Sequence, residues 1–405
     1  MSALNILLIS DVSPKEVMFG AGRALNGYSR GLAKKGNTVF VLTGRDKGAP
    51  PEESMEGVKI YTYEIDRRNF LTYFISSFLN AKKVFNRIVK ETKIDLINFH
   101  QPLSGLGVCT SPKSRIIPKI YTFHSSWPDE YRTRILKKPG KMSLFRSLWI
   151  KLNVFSRRVI ERYVLSKCLE IIVLSDFSKK QILERYDIPP GKIKIIPGAV
   201  DVEKFKPSCS REEARTIINL PRDKFILFTV RNLVPRMGLE NLIDSMPFVL
   251  EQVKDAHLII GGVGALEAEL KDMVKFLKLE GAVSFAGLIP EDKLPLYYQA
   301  ADLFILPTKQ LEGFGMVTVE ALSSGLPVLG TPVGGTVEIL SKLNDDFLFR
   351  GTDPDSMARL IIKYSEMRDQ LDVWRERCRK YAADNYSWDK IICQYEEAVN
   401  NVVES

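Results

Sequence analysis

The sequence predicts an α/β protein with two domains, each built around a doubly wound, mostly parallel sheet. With 405 residues, the chain is long enough for two ordinary domains with complete cores. Short apolar runs typical of buried parallel strands alternate in both halves with segments of helical length. Residues 1–200 contain 34 Lys and Arg against 17 Asp and Glu, whereas residues 201–405 contain 24 against 32. Together these observations predict one Rossmann-like domain over 1–200 and a second over 201–384.

The predicted strands of the first domain are apolar runs at 4–10, 38–43, 58–63, 94–99, 116–123, 170–174 and 193–197. Helices are predicted near 23–35, 72–91, 144–167 and 176–186, the last capped by Ser175. Open parallel sheets bind ligands at the carboxyl ends of their strands. Gly20 lies in the loop after the first strand, where glycine lets the backbone approach a phosphate closely. An ordinary turn is the alternative for this loop.

Two histidines close predicted strands of the first domain. His100 follows the strand at 94–99, and His124 follows the strand at 116–123. A histidine at the carboxyl end of a strand is well placed for a ligand site, and imidazole can donate a hydrogen bond to a hydroxyl at neutral pH. Both residues are therefore candidate substrate contacts, with a purely structural histidine as the alternative for each.

The second half repeats the alternation, with strands predicted at 225–230, 257–261, 282–286, 302–306 and 326–330 and helices near 239–253, 265–279, 291–300 and 315–325. Arg231 and Arg236 follow the first of these strands. Guanidinium groups fit phosphate oxygens, so we expect both arginines to bind a diphosphate. Gly262 lies in a glycine turn that opens the next helix, a further candidate for contact with an anion.

The segment from Glu312 to Glu320 is the one around which the candidate site is organised. It follows the buried strand at 302–306, and Gly313 and Gly315 allow a tight turn into a helix. The start of a helix presents unpaired N–H groups to an anion. Two carboxylates eight residues apart can in addition accept hydrogen bonds from hydroxyls. This combination indicates a sugar nucleotide; a plain strand–helix unit with two solvated glutamates is the alternative.

Glu312 and Glu320, with Gly313-Phe314-Gly315 between them, resemble the paired-glutamate motif of retaining glycosyltransferases of family four. Segments 320–328 and 332–338 are also similar to that family. The resemblance implies that Glu312 contacts hydroxyls of the donor sugar and that Glu320 contacts those of the nucleotide ribose.

The resemblance extends to other parts of the chain. It implies that the backbone of Phe314, Gly315, Met316 and Val317 lies near the diphosphate. Residues 121–127 look like the histidine segment of the family's first domain, which implies that His124 contacts the transferred sugar. Gly20 and Gly262 match glycine turns on the donor side. Met237, however, stands where the family usually has a lysine, so the positive charge is left to the two arginines.

The family's fold is the glycosyltransferase B type, which implies two Rossmann-like domains facing across a cleft. A final helix over 385–405 then crosses back to the first domain, starting at Trp388. The implied activity is sugar transfer from a nucleotide-diphosphate donor with retention at the anomeric carbon, without cofactor or essential metal. Uridine is the default base. A nucleotide-sugar epimerase or phosphorylase of the same fold, or an inactive sugar-nucleotide-binding protein, are the alternatives.

A basic, aromatic-rich segment over 131–160 contains nine Lys and Arg and no acidic residue. In this segment apolar side chains recur at helical spacing between basic ones. The residues chosen as candidate contacts are Arg146, Trp149 and Lys151. Such a helix suits an anionic bilayer or a glycolipid acceptor. Packing of the apolar stripe on the sheet is the alternative. Nucleic acid is the weaker candidate partner, because no recognisable binding module accompanies the charge.

The remaining features concern location and metals. The five cysteines are scattered without metal-type spacing and are expected to be reduced thiols of a cytoplasmic protein. The start of the chain reads as a first strand rather than a signal peptide, and no run of apolar residues is long enough to span a membrane. Asp353, in Asp353-Pro354-Asp355, is expected to cap a helix rather than bind a metal. The expected location is cytoplasmic, peripheral on the inner face of the membrane.

Overall fold

The computed structural model describes residues 3–15, 20–46, 48, 50–135 and 144–404, without the side chains of Arg134, Leu144 and Phe145. The chain divides into two units. The first comprises Met1–Arg132, Lys138–Gly198 and Trp388–Ser405, and the second comprises Thr133–Lys137 and Ala199–Ser387.

The strands of the first unit are β1 (Asn5–Ser10), β2 (Thr38–Arg45), β3 (Glu52–Met55), β4 (Val58–Glu64), β5 (Leu96–Phe99), β6 (Lys119–Phe123), β7 (Glu170–Val173) and β8 (Ile193–Ile195). They form one sheet in the order β3-β4-β2-β1-β5-β6-β7-β8. Only β3 runs antiparallel to its neighbour, β4; the other pairings of the described strands are parallel. The central strands are buried at almost every position, because parallel sheets are covered on both faces.

The second unit contains β9 (Phe225–Val230), β10 (Ala256–Gly261), β11 (Val283–Gly287), β12 (Leu303–Leu306) and β13 (Val328–Gly330). These strands are all parallel and lie in the order β11-β10-β9-β12-β13. The order reverses between β9 and β12, which makes the carboxyl ends of these two strands a topological switch point. Loops that follow β9 and β12 are therefore the expected place for a ligand in this unit.

The helices of the described chain are α1 (Gly20–Lys34), α2 (Phe70–Glu91), α3 (Pro102–Cys109), α4 (Trp127–Ile135), α5 (Leu144–Ser166), α6 (Asp176–Arg185), α7 (Arg211–Ile217), α8 (Leu239–Gln252), α9 (Glu267–Phe276), α10 (Leu294–Ala300), α11 (Met316–Ser323), α12 (Thr336–Leu343), α13 (Pro354–Glu366), α14 (Leu371–Tyr386) and α15 (Trp388–Glu404). None of these helices is both long enough and apolar enough to cross a bilayer.

The last helix belongs to the first unit, where α15 packs closely on α1. A Cβ on Gly27 would lie 1.8 Å from Cζ2 of Trp388, and a Cβ on Gly31 would lie 2.3 Å from Cγ1 of Ile392. The two glycines of α1 therefore let the helices approach to a distance that any side chain would prevent. The Trp388 ring also meets Tyr28 edge-on, with 5.2 Å between ring centroids.

Each strand and helix predicted from the sequence is present, with ends that differ by a few residues. The N-caps were also confirmed: Ser175 accepts from the N–H of Ser178, and Asp353 accepts from the N–H of Ser356. The predictions missed β3, whose sequence Glu-Glu-Ser-Met has no apolar alternation because it lies at the sheet edge. They also missed α4, α7, α12 and α14, as well as α3, which is buried on nearly all sides and so lacks the amphipathic period of a surface helix.

Candidate functional site

The turn from β12 into α11 is held in a conformation that depends on Gly315. This residue has φ 95° and ψ 60°, in the left-handed region, and serves as the N-cap of α11. A Cβ at this position would lie 2.6 Å from Oγ1 of Thr336 and 3.0 Å from Oγ1 of Thr318. Both the backbone conformation and the surrounding space therefore require glycine. The first N–H groups of α11, which begins at Met316, have no partner within the helix and suit an anion.

Glu312 and Arg231 form an ion pair at the switch point of the second sheet. Nη2 of Arg231 donates to Oε2 of Glu312, and the side chains are 5% and 12% exposed. The hydroxyl of Thr308 donates to the same carboxylate oxygen at 3.1 Å. Burial by itself raises the pKa of Glu312, but the charge and hydrogen bond of Arg231 outweigh that effect and lower the pKa overall. Glu312 is therefore a carboxylate at neutral pH.

Met237 also contacts the Arg231 guanidinium. Its Sδ is 2.8 Å from Nη2 and 3.3 Å from Nε of Arg231, and the methionine is buried. Arg236 instead donates from Nη1 to the carbonyl of Leu311 at 3.0 Å. Both arginines thus contact the segment that follows β12, one through a carboxylate and the other through a backbone carbonyl. Leu311 itself adopts a positive φ of 57°, which marks this segment as locally strained.

Glu320, the second glutamate of the pair, is completely buried in α11. The hydroxyl of Tyr298 donates to its Oε2 at 3.0 Å. The structure therefore places the two glutamates in different environments, with Glu312 partly open and Glu320 closed to solvent. A contact between Glu320 and a ribose requires this carboxylate to become exposed when a donor binds.

The other residues predicted to bind the donor divide into structural and accessible positions. Phe314 is buried and packs edge-on against Tyr386, with ring centroids 5.7 Å apart. Its side chain thus anchors the turn, whereas Gly313, Met316 and Val317 are partly exposed. The accessible surface of the turn is accordingly formed by the residues on either side of Phe314 and Gly315.

Gly262 supports the arginine loop directly. It has φ 110°, and a Cβ there would lie 1.9 Å from the carbonyl oxygen of Arg231. Its N–H donates to the carbonyl of Gly287 at 2.7 Å. The structure thus gives Gly262 a packing role beside Arg231, and its contact with a donor remains a prediction.

In the first unit, His124 and His100 are in direct contact at the ends of β6 and β5. Nε2 of His124 is 2.9 Å from Nδ1 of His100, and the rings stack with 5.2 Å between centroids. Burial lowers the pKa of His124 to about 4. Burial and the neighbouring His124 together hold the pKa of His100 well below its usual range. Both rings are therefore neutral at pH 7, a state in which each ring has one donor and one acceptor nitrogen.

Gly20 is exposed at the first residue of α1.

The basic, aromatic-rich segment forms α5, and its apolar side chains are not all packed on the sheet. Arg146, Trp149 and Lys151 are exposed. Large apolar side chains exposed along the same helix are Leu148, Trp149, Leu152, Phe155, Val159 and Tyr163. Arg157, one of the nine basic residues of this segment, is buried with its guanidinium 3.8 Å from the centroid of the Tyr131 ring. Lys137, Lys138 and Lys141 lie outside the described residues.

No group of three or more His, Cys, Asp or Glu in the part of the chain that the structure describes is arranged to hold a metal ion. The positive charge near α11 comes instead from the arginines of the loop after β9. Asp353 uses its carboxylate for the helix cap described above.

Two protein-family models together match most of the chain. Residues 20–204 match the model described as Glycosyltransferase Family 4, and residues 210–383 match the model described as Glycosyl transferases group 1. The chain belongs to glycosyltransferase family 4. The two matched segments meet between residues 204 and 210, close to the boundary between the two units of the structure.

Individual relatives and structures agree with the family assignment. The chain is 29% identical to the D-inositol 3-phosphate glycosyltransferase of Corynebacterium urealyticum, over 97% of this chain and 95% of the relative. It is 24% identical to the UDP-Gal:alpha-D-GlcNAc-diphosphoundecaprenol alpha-1,3-galactosyltransferase of Escherichia coli, over 78% of each chain. Sucrose-phosphate synthase of Thermosynechococcus elongatus has a similar fold, with a TM-score of 0.83, 20% identity, and coverage of 98% of this chain and 99% of the other. The predicted fold class, two Rossmann-like domains of the glycosyltransferase B type, is therefore confirmed.

Sequence reasoning missed two polar residues that the fold of this glycosyltransferase brings to candidate site residues, and a third at the end of a central strand. Thr308 and Tyr298 bind the two glutamates, and neither belongs to a motif. Asp11 directly follows β1, and its Oδ1 accepts from the hydroxyl of Tyr63 at 3.1 Å and from the N–H of Ser104 at 3.2 Å. Asp11 could have been identified as a candidate site residue from its position at the carboxyl end of a central strand.

Proposed function

We propose that this family 4 glycosyltransferase transfers a sugar from a uridine-diphosphate sugar to a lipid-linked acceptor, with retention of configuration and without a metal ion. The observation that supports this most directly is the Arg231–Glu312 ion pair beside the Gly315-capped start of α11. It brings together a cation, a carboxylate and a helix N-terminus at a switch point of the sheet. The cation can bind a diphosphate, and the carboxylate can accept hydrogen bonds from sugar hydroxyls. The helix N-terminus can bind phosphate oxygens through its N–H groups.

In the proposed reaction, the bond between the anomeric carbon and the oxygen of the β-phosphate breaks. The acceptor hydroxyl attacks the same face of the sugar, and its proton passes to the departing phosphate, so the configuration is retained without a protein nucleophile. Arg231, Arg236 and the first N–H groups of α11 stabilise the charge on the leaving diphosphate. Each such group typically contributes about 2.7–4 kcal/mol to transition-state stabilisation. Glu312 and His124 orient the sugar through its hydroxyls.

The assignment of donor and acceptor class rests on a relative. The name of the Escherichia coli relative specifies a UDP-sugar donor and a diphosphoundecaprenol-linked acceptor. A lipid-linked acceptor also fits the first unit of this chain, which combines strong basic charge with apolar side chains exposed on two helices. The proposed setting is thus the biosynthesis of a glycolipid or of a lipid-linked polysaccharide.

The surface that we propose for membrane contact is formed by α2 and α5, and we call it the α2–α5 surface. Along α2 the exposed apolar side chains are Phe70, Leu71, Ile75 and Leu79. The two helices meet where the guanidinium of Arg157 on α5 lies 4.7 Å from the centroid of the Phe70 ring. Beside Leu79, a groove of about 470 Å³ is lined by Lys82, Lys83, Asn86, Arg87 and Lys90. Apolar side chains next to a basic groove are complementary to an anionic bilayer, and we propose that the protein binds the inner face of the membrane through this surface.

The experiment that tests the proposed function is a panel of nucleotide sugars with and without lipid-linked acceptors. Nucleotide release that depends on the acceptor, with a product heavier by one sugar residue and an unchanged anomeric configuration, is the expected result. Activity should persist in EDTA. Nucleotide release only from donors with a base other than uridine would correct the donor assignment. A product with inverted anomeric configuration would exclude the retaining mechanism.

A second candidate function is supported by Met237, which occupies the position where a second cation is usual in the family. The protein would then bind a nucleotide sugar without transferring it. Saturable binding of UDP-sugars in calorimetry, without nucleotide release for any acceptor, would favour this candidate. Conversion of the donor without acceptor would indicate an epimerase.

A further inference from the structure

A chain of buried polar side chains connects the last helix to His124 within the first unit. Nδ2 of Asn98 donates to the hydroxyl oxygen of Tyr395 on α15, and it lies 2.9 Å from Nε2 of His100. Nδ1 of His100 in turn lies 2.9 Å from Nε2 of His124. Asn98 and Tyr395 are fully buried, and His100 is 3% exposed. None of these contacts follows from the family's motifs.

The Asn98 amide has a third partner on its oxygen side. The hydroxyl of Thr122 lies 3.1 Å from Oδ1 of Asn98 and donates to it. The structure places the amide nitrogen towards both Tyr395 and His100. An amide nitrogen can only donate, which means that Nε2 of His100 accepts and has no proton.

The positions of the remaining protons then follow in sequence. A neutral His100 without a proton on Nε2 must carry it on Nδ1, and it donates from there to His124. Nε2 of His124 is thus an acceptor, and the proton of a neutral His124 must be on Nδ1. Within the described residues, the structure shows no hydrogen bond to this Nδ1 atom. The partly exposed His124 ring consequently has an N–H group available to a ligand.

We propose that Asn98, acting through His100, is a positioning residue that holds His124 in the tautomer with its proton on Nδ1. Tyr395 on α15 accepts the second amide proton of Asn98, a contact that does not itself set the tautomer of His100. Burial lowers the pKa of both rings, so each ring is neutral and carries a single proton at pH 7. The role of the tautomer in sugar transfer rests on the proposed function, in which the Nδ1–H group donates to a hydroxyl of the donor sugar.

The tautomers can be measured directly because the chain contains only three histidines. Long-range proton–nitrogen NMR spectra of the full-length protein, with the signals assigned by a His257→Gln variant and a His124→Gln variant, identify the protonated nitrogen of each ring. We expect His100 and His124 both to be protonated on Nδ1. A proton on Nε2 of His124 in the wild-type protein would overturn the proposal, and this result needs no folded variant.

Asn98→Leu removes the donor to His100 at similar volume, and Tyr395→Phe is its matched control, because Tyr395 contacts Asn98 but not His100. We expect Asn98→Leu to shift both rings towards protonation on Nε2, whereas Tyr395→Phe leaves both on Nδ1. Unchanged tautomers in a folded Asn98→Leu protein would refute the coupling.

Turnover is measured in parallel. We expect Asn98→Leu to lower kcat about tenfold, the effect of losing one hydrogen bond to the reacting sugar, with little change in the KM for the donor. Wild-type turnover despite shifted tautomers would remove the functional role of the relay. If no donor supports transfer by the wild-type protein, the proposed function fails, while the NMR spectra still decide the tautomer.

Discussion

Arg231 and Glu312, which are 81 residues apart in the chain, form a nearly buried ion pair at the switch point of the second sheet. In this structure each group neutralises the other, although the proposed function needs the arginine for a diphosphate and the carboxylate for a sugar. Donor binding would therefore replace one strong contact of each residue with a contact to the substrate. This exchange keeps both charges paired in a site of low exposure, where an unpaired charge is costly.

Replacing Glu312 by alanine should lower both activity and stability. The loss of a hydroxyl contact predicts a turnover at least about tenfold lower. The buried guanidinium left without its partner predicts a loss of about 3 kcal/mol in the free energy of unfolding. Nucleotide release and urea denaturation measure the two effects.

The matched control is Glu267→Ala, which removes an exposed ion pair with Lys271 on α9. Exposed pairs contribute little, so the expected change in stability is below about 1 kcal/mol, with unchanged turnover. Equal effects of the two substitutions would contradict the assignment of Glu312.

The stability that Glu312 contributes should depend on pH. A carboxyl group with a lowered native pKa stabilises the fold fully above its unfolded pKa, about 4.3, and loses this contribution as the pH falls through the native pKa. The difference in unfolding free energy between wild type and Glu312→Gln should thus be constant from pH 7 to 5 and decrease below pH 4. Denaturation series at several pH values check this, and a difference independent of pH would show that the pKa of Glu312 is the same in the native and the unfolded protein.

Met237→Lys should strengthen the binding of nucleoside diphosphates. The new ammonium group would lie beside Arg231 and provide a second cation, and one charge-assisted hydrogen bond predicts an affinity about tenfold higher. The same substitution places two positive charges together, so the stability of the free protein should fall. Calorimetric titration with UDP compares this variant with Met237→Leu, which keeps the volume without adding charge. Equal affinity in the two variants would mean that the position does not face the diphosphate.

Gly27→Ala should destabilise the first unit. The new Cβ would meet the Trp388 ring at 1.8 Å, and overpacking of this kind typically costs about 1–3 kcal/mol. Gly191→Ala is the control, because a Cβ there has no neighbour within 4 Å. Denaturant unfolding should separate the two variants clearly. Equal stability would show that α1 and α15 do not pack as closely as in this structure.

The α2–α5 surface should bind anionic vesicles. Leu152→Glu and Phe155→Glu place a negative charge among its exposed apolar side chains and should abolish co-sedimentation with phosphatidylglycerol vesicles. Val373→Glu, at an exposed apolar position of the second unit, should have no effect. Binding of wild type that weakens at high salt would support an electrostatic contribution. Absence of binding at low salt would exclude this surface as a membrane contact.

The sequence by itself determined the alternation of strands and helices in both halves, the position of the glycine turn at Gly315, and the family, because burial patterns and turn residues are local properties of the chain. The glycine was predictable, since a tight turn into a helix needs a residue that tolerates positive φ. The confirmed caps at Ser175 and Asp353 are local in the same sense, each binding an N–H three residues ahead.

Only the tertiary structure decided which side chains meet across long separations. Arg231 pairs with Glu312 over 81 residues, and Asn98 meets Tyr395 over 297 residues. It also showed that Glu320 is buried under Tyr298 while Glu312 is partly open, although the motif presents them as a pair. Such differences arise from the packing of strands and helices that are distant in sequence, so they cannot be predicted from hydrophobic periodicity or residue type.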